Sequence, residues 1–199
     1  LYGPALRRLS LARNKFTKVP CELGLVRGLE DLCLDGFMGG GGLRGGAMSN
    51  PQSNPGAEHW HLLAALPNLT SLDLGRCGLA ALPPAVRASH LPKLRRLGLA
   101  ANLLHELPRQ VADFTALQKL DVADNNLAAL DPLHGSSHPF LEELLASRNN
   151  LHSAPLLLLA LPRLRLLDLS SNRISRFDGA ESLDLRLLDS PAPQREFAQ

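Results

Sequence analysis

The chain has 199 residues, 45% hydrophobic and 20% charged, which is enough apolar material for one sizeable core. Its formal net charge is +2, and its basic residues form no block of the kind that binds nucleic acid. Aromatic residues make up 4%, too few for stacking platforms along a single strand. The longest apolar run, 156–161, is far shorter than the ~20 residues of a membrane span. We therefore expect no nucleic acid partner and no membrane span.

A motif of the form Leu-x-x-Leu-x-Leu-x-x-Asn-x-Leu recurs along the chain. Its clear copies begin at Leu6, Leu69, Leu94, Leu117, Leu141 and Leu164, and a damaged copy without the Asn position begins at Leu29. The steps between successive copies are 23, 40, 25, 23, 24 and 23 residues. Five of these six steps agree within two residues, so one structural unit is repeated along nearly the whole chain.

The motif has a physical interpretation at each position. Its Leu-x-Leu part predicts a short strand with leucines pointing inward, and successive strands pair in parallel. The Asn position predicts a ladder of buried amides in the following turn, where Cys77 supplies a weak S–H donor instead. Beyond it, Val111, Phe114 and Leu117 stand three apart, which predicts a short helix or 3₁₀ turn.

Several copies continue into a Leu-Pro or Val-Pro pair, as at Val19-Pro20, Leu82-Pro83 and Leu107-Pro108. With this 23-residue period the chain resembles the intracellular leucine-rich-repeat proteins used in scaffolding and signalling. The resemblance implies an α/β solenoid of about 7–8 repeats, a right-handed horseshoe with a parallel sheet on its concave face and short helices or 3₁₀ turns on its convex face. It also implies a docking surface for another protein.

The 40-residue step is 17 residues longer than the 23-residue repeat, and the extra material lies in the Gly-, Pro- and Ser-rich segment 36–58. We interpret this segment as a surface loop in a single domain spanning 1–189, either a tolerated insertion or an extra binding element. Residues 182–185 predict a truncated last repeat, and 190–199 a disordered or extended tail. Too few residues precede Leu6 to cap a solenoid, so we expect a partner or missing sequence to cover the N-terminal edge.

Catalytic and cofactor signatures are weak. Gly40-x-Gly42-x-x-Gly45 matches a dinucleotide fingerprint, but 48–51 breaks any helix after it. His59 and His61 are too few ligands for a metal site, and the alternative is a loop end where the intervening Trp covers the core. We therefore predict no enzyme, cofactor or metal.

The three cysteines are Cys21, Cys33 and Cys77, an odd number without paired spacing. They do not form a disulfide framework, which predicts a reducing compartment. We expect Cys21 to be half-buried and inert, and Cys33 to face outward on the concave sheet. Intracellular, cytoplasmic localisation follows, with an organelle or a cytoskeletal assembly as alternatives.

Residues that alternate with the inward leucines should cover the concave face. Ten of them are our candidates for contacts with a partner protein: Arg8, Asp31, Asp73, Arg96, Lys119, Asp121, Glu143, Leu145, Leu166 and Asp168. The residues two positions after each strand, such as Ala100 and Ala123, are almost all small, so a helix or loop could approach closely there.

The leading functional hypothesis is a non-catalytic protein-binding module, used as a scaffold or as a structural or regulatory subunit of a larger assembly. One alternative is the recognition domain of a receptor or sensor. Another is the substrate-recruiting part of an enzyme complex, such as a ubiquitin ligase or a phosphatase regulator.

Overall fold

The structure is a computed structural model of the chain. It describes residues 5–14, 16, 19–36, 59–131, 133, 137–178 and 196–198. Most of the predicted insertion at 36–58 and the predicted truncated repeat at 182–185 lie outside these described residues.

One parallel sheet runs through the whole solenoid. Its strands have three residues each, and in spatial order they are β1 (Arg8–Ser10), β2 (Asp31–Cys33), β3 (Ser71–Asp73), β4 (Arg96–Gly98), β5 (Lys119–Asp121), β6 (Glu143–Leu145), β8 (Leu166–Asp168) and β10 (Glu196–Ala198). A second parallel pair joins β7 (Ser153–Pro155) to β9 (Arg176–Asp178). Each main strand pairs with the next in unbroken register, which confirms the predicted repeat unit.

Short 3₁₀ helices lie on the opposite side of four of the described repeats. They are η1 (Cys21–Leu25), η2 (Trp60–Ala65), η3 (Arg109–Asp113) and η4 (Leu156–Leu158). Pro20 and Pro108 directly precede η1 and η3, because proline fixes a backbone angle suited to beginning such a segment and cannot extend a strand. Three-residue strands and single 3₁₀ turns fit a complete circuit of the solenoid into about two dozen residues.

The core is a column of leucines between the sheet and the 3₁₀ layer. Leu72, Leu97 and Leu120, at the centres of their strands, are each at most 1% exposed. Burial of one such side chain contributes about 1.5–3 kcal/mol to folding. Since each repeat adds apolar residues at equivalent positions, the core continues from one repeat to the next without a break.

The predicted Asn ladder is present. Asn102 donates from Nδ2 to the carbonyl oxygens of Leu74 at 2.9 Å and Leu99 at 2.8 Å, and its Oδ1 accepts from the amides of Cys77 and Leu79. The same pattern recurs at Asn125, Asn149 and Asn172. Each Asn thus links its own turn to the preceding repeat and satisfies buried backbone groups that have no strand partner.

One turn position has a left-handed backbone in each of the seven described repeats. It is the residue just before the Asn position, and its members are Arg13, Gly36, Arg76, Ala101, Asp124, Arg148 and Ser171, with φ between 53° and 69°. Only one of the seven is glycine, so the other six adopt a conformation that costs a non-glycine residue about 1–2 kcal/mol. The chain tolerates this because the ladder and the strand register fix the turn on both sides.

The two ends of the sheet differ. At the N-terminal edge, Leu6 is 43% and Phe16 39% exposed, whereas Leu29 and Leu79, at the equivalent positions of later repeats, are 0% exposed. At the other edge, β10 pairs in parallel with β8 and sets Phe197 opposite Leu167. The described part of the predicted tail is therefore extended and adds a strand to the sheet.

Candidate functional site

The outward residues of the sheet form three columns across the concave face. The first column contains the residue that opens each strand: Arg8, Asp31, Ser71, Arg96, Lys119, Glu143 and Leu166. The central column contains the residue that closes each strand: Ser10, Cys33, Asp73, Gly98, Asp121, Leu145 and Asp168. The turn column lies two residues further on: Ala12, Asp35, Gly75, Ala100, Ala123, Ser147 and Ser170. All ten candidate contact residues therefore lie on one surface, in the first and central columns.

Charges in the first column are partly paired with one another. Lys119 and Glu143 sit opposite each other on adjacent strands and form a salt bridge, with both side chains 40% exposed. Because an exposed pair of this kind contributes at most about 1 kcal/mol, it leaves both groups able to exchange partners. Arg8 and Arg96 are exposed in the same column.

Aspartates of the central column are anchored by the turn that follows them. Oδ1 of Asp73 accepts from the amide of Gly75 at 2.9 Å, and Asp168 accepts from Ser170 at 2.9 Å. Asp121 accepts from Ala123 at 3.1 Å. These bonds to the residue two positions ahead restrict each carboxylate to one orientation on the concave face.

Glycine leaves room for one of these carboxylates. A Cβ atom at Gly98 would lie 2.7 Å from Oδ1 of Asp73, and one at Gly75 would lie 2.8 Å from Oδ1 of Asp35. The Asp73 side chain therefore leans over the neighbouring strand β4, and Gly98 forms a shallow notch between Asp73 and Asp121. The sequence showed the glycines, but the direction of the Asp73 side chain depends on its orientation, which the repeat pattern does not determine.

The pKa values of Asp121 and Asp168, in the central column, are shifted in opposite directions. Desolvation raises the pKa of Asp121, and the carboxylates of Asp73 and Asp168 raise it further. Desolvation also acts on Asp168, but hydrogen bonds from Ser170 and Ser147 outweigh it and lower the pKa of Asp168. Burial raises the pKa of the Cys33 thiol, with a further contribution from Asp73, whose Oδ2 lies 3.5 Å from the sulfur.

Two leucines interrupt the polar concave face. Leu145 in the central column and Leu166 in the first column lie on adjacent strands and are half-buried. Leu145 is flanked in register by Asp121 on one side and Asp168 on the other. The two leucines therefore form a small apolar patch, in which Leu145 lies between two carboxylates.

An ion cluster that the sequence did not reveal lies beside the N-terminal half of the face. Asp35, whose side chain is 15% exposed, accepts from Nη1 of Arg76 at 3.0 and 3.1 Å and lies 3.4 Å from Nε of Arg13. Both arginines occupy the left-handed turn position of their repeats. Aligning the repeats at that position would have placed them on either side of Asp35.

His59 directly precedes η2, and His61 lies within it. The ring centroids of His59 and His61 lie 6.0 Å apart. Trp60, the residue between them in the sequence, is buried. Among the described residues, no group of three His, Cys, Asp or Glu side chains could hold a metal ion. A convex cleft of about 220 Å³ has apolar walls from Leu91 and Phe114.

The predicted burial of Cys21 is wrong. Cys21 is exposed because it begins η1, and the following turn directs Leu23, rather than the cysteine, into the core. Cys33 is half-buried on the concave face, as predicted, and Cys77 is buried. Within the part of the chain that the structure describes, no helix has the length and apolarity to cross a membrane.

Comparison with known proteins supports the repeat assignment. The leucine-rich-repeat family model matches residues 67–127, and no curated protein matches the sequence significantly. Internalin C2 of Listeria monocytogenes has a similar structure, with a TM-score of 0.61 and 19% identity over 96% of this chain and 79% of the internalin.

Two further structures share the fold over a smaller part of their own length. For the internalin InlF of Listeria monocytogenes the TM-score is 0.55, with 18% identity over 98% of this chain and 55% of that one. For the ectodomain of the Arabidopsis thaliana receptor kinase GASSHO1/SCHENGEN3 the TM-score is 0.51, with 20% identity over 78% of this chain and 17% of that one. The repeat pattern, the parallel sheet and these similarities identify the chain as a leucine-rich-repeat solenoid.

Proposed function

We propose that the chain is a non-catalytic protein-binding module, a scaffold or a structural or regulatory subunit of a larger assembly, and that it binds its partner through the concave face. A leucine-rich-repeat fold is generally a protein-interaction module. The observation that carries the proposal is the unbroken register of β1 to β6 and β8, which sets all ten candidate residues side by side on one face of the sheet. A specific protein contact buries ~800 Å² on each partner, and a sheet of this many strands offers such an area.

Charge reversal on the concave face tests this function. The chain is purified from its native source with whatever protein accompanies it, and capture is repeated with Asp121→Lys and Arg96→Glu. Asp113→Lys and Arg109→Glu, both exposed on η3, make the same charge changes on the convex side. We expect the concave reversals to release a stoichiometric partner and the convex reversals to retain it. Equal release by both pairs would contradict concave binding.

The intracellular 23-residue Leu-Pro type, with cytoplasmic localisation, is part of the proposal. It is supported by Cys77, whose Sγ donates to the carbonyl oxygens of Leu34 at 3.2 Å and Gly75 at 3.3 Å. This donation requires a reduced thiol, as does the free state of Cys21 and Cys33. Fluorescent tagging of the native protein, with fractionation of the cell, tests the compartment.

The N-terminal edge forms a second contact in this proposal, covered by a partner or by further sequence. Asn14 donates to its own turn at Leu11 and Ala12, whereas Asn102 also reaches a carbonyl of the preceding repeat. The exposed Leu6 and Phe16 occupy positions that are buried in later repeats. Joining a copy of residues 94–116 ahead of Leu6 should raise the unfolding temperature if this edge accepts another repeat, and a lower temperature would contradict it.

A further inference from the structure

Acidic residues alternate with uncharged ones along the central column. In register the order is Asp73, Gly98, Asp121, Leu145, Asp168, one residue on each of the five strands β3, β4, β5, β6 and β8. Adjacent strands lie about 4.8 Å apart, so carboxylates recur about every 9.6 Å, with Leu145 midway between the last two. The apolar patch and the acids are therefore parts of one strip that runs across the strands.

This spacing matches an α-helix laid along the strip. One helical turn rises about 5.4 Å and seven residues rise about 10.5 Å, so successive turns pass over successive strands. Over the four strand spacings from Asp73 to Asp168 the mismatch is about 2 Å, which flexible Lys or Arg side chains absorb. An extended segment is a poorer fit, because its same-face residues recur about every 6.7 Å. This spacing does not match the separation of about 9.6 Å between Asp121 and Asp168, and it places no residue over Leu145 midway between them.

Small side chains beside the strip give a helix room to approach. The turn column next to these strands contains Gly75, Ala100, Ala123, Ser147 and Ser170. On the other side lie two cations, Arg96 and Lys119, and Lys119 is paired with Glu143, so the three carboxylates of the strip outnumber the remaining cation. The chain as a whole carries +2, and this strip of three carboxylates is therefore a local reversal of sign that favours a basic partner.

We propose that the protein partner presents an amphipathic α-helix to this strip, with basic residues seven apart facing Asp73, Asp121 and Asp168 and an apolar residue between two of them facing Leu145. The inference rests on the proposed function and specifies the chemistry of the partner. Basic side chains supply the counter-charge for the anchored carboxylates, and the apolar residue covers the two half-buried leucines. Leu166, one strand away on the first column, widens the apolar contact.

Two synthetic helical peptides test the spacing directly. Both are about 21 residues long, of one composition, with three lysines and one leucine in an Ala/Gln background. In the first peptide the lysines are seven residues apart, and the leucine follows the second lysine by four residues. In the second peptide the lysines are five residues apart, so they do not lie on one face of the helix. Binding to the full chain is measured by fluorescence anisotropy, with thermal unfolding of every protein variant as the folding control.

The first peptide should bind and the second should bind at least about threefold more weakly, because each exposed ion pair contributes up to about 1 kcal/mol. Asp121→Asn and Asp168→Asn should each weaken the first peptide about threefold to fivefold, since asparagine can still accept from the turn amide but has lost the charge. Asp113→Asn on η3 is the matched control and should have no effect. Leu145→Ser should weaken the first peptide as well.

Equal binding of the two peptides, or an equal effect of Asp113→Asn and Asp121→Asn, would overturn the helix proposal. The partner-capture experiment separates this failure from failure of the proposed function. If concave charge reversals release the native partner while the peptides bind alike, the face binds protein but not a basic helix. If the reversals release nothing, both proposals fail.

Discussion

Cys77 and Leu34 are joined by a hydrogen bond from Sγ to the carbonyl oxygen at 3.2 Å. In the next repeat, Asn102 makes the equivalent bond to Leu74 with its amide nitrogen at 2.9 Å. The thiol therefore replaces one donor of the Asn ladder, although it cannot replace the amide oxygen that accepts two backbone N–H bonds at position 102. Because a thiol is a weaker donor than an amide, Cys77 makes a weaker ladder bond than Asn102 does.

Asn102→Ala should strongly destabilise the solenoid. Its side chain satisfies the buried amides of Cys77 and Leu79 and the carbonyl of Leu74, and alanine would leave these groups without a partner. We expect the free energy of unfolding in urea to fall by about 3 kcal/mol. Asn126→Ala is the matched control, because Asn126 is exposed and should change stability by less than about 0.5 kcal/mol. Similar losses for the two variants would argue against a structural ladder.

The left-handed turn position gives a second test of stability. Ala101 has φ of 54°, so Ala101→Gly relieves backbone strain and should be neutral or stabilising. The neighbouring Ala100 does not have a positive φ, so Ala100→Gly relieves no strain and only adds conformational freedom to the unfolded chain. This substitution should lower the free energy of unfolding by about 0.5–1 kcal/mol. Thermal unfolding of the two variants should thus rank Ala101→Gly above Ala100→Gly. The reverse order would show that the turn is not strained.

The repeat made the fold predictable, because leucines at 23-residue steps determine which residues point inward and which strands are neighbours. That pattern also predicted the concave columns and the donor role of Cys77. It could not predict the exposure of Cys21, since the turn at which η1 begins depends on local packing around Leu23. Nor could it show the lean of Asp73 over Gly98, which depends on side-chain orientation across two strands.

Gly98→Ala tests that lean. The new Cβ would lie 2.7 Å from Oδ1 of Asp73, and the carboxylate would have to leave the amide of Gly75. We expect the free energy of unfolding to fall by about 1–2 kcal/mol in the wild-type background. In an Asp73→Ala background the same substitution should cost about 1 kcal/mol less, a coupling that a double-mutant cycle measures. Additive effects would place the strain elsewhere.

The three thiols should react with an alkylating agent in a fixed order. Cys21 is exposed and should react first, whereas Cys77 is 1% exposed and should react only on unfolding. Cys33 should be intermediate, because burial raises its pKa and so lowers the fraction of thiolate at pH 8. Asp73→Asn removes a neighbouring negative charge and should speed the reaction of Cys33 alone. Mass spectrometry of timed samples checks the order, and fast labelling of Cys77 would contradict the core assignment.

Opposite pKa shifts in one column lead to opposite effects of pH on stability. The pKa of Asp121 is raised in the folded state. The stabilisation that this carboxyl group gives the folded state is therefore fully present below the unfolded pKa of about 3.9 and is lost as the pH rises through the folded pKa. The pKa of Asp168 is lowered, so its contribution is present above about pH 3.9 and is lost as pH falls through the folded value. Asp121→Asn should therefore be more stable than wild type at pH 7, and Asp168→Asn less stable.

Urea unfolding of both variants between pH 3 and pH 7 measures these differences, and both should shrink toward the acidic end. Asparagine can keep the bond to the amide of Ala123 or Ser170, so the comparison isolates the charge. A loss of stability in Asp121→Asn at pH 7 would contradict the desolvation of this carboxylate. The ionised, desolvated carboxylate of Asp121 destabilises the fold, and a lysine bound beside it would offset this destabilisation. The basic peptide should therefore stabilise wild type against urea more than it stabilises Asp121→Asn. Equal stabilisation would separate the pH effect from binding and assign it to the fold alone.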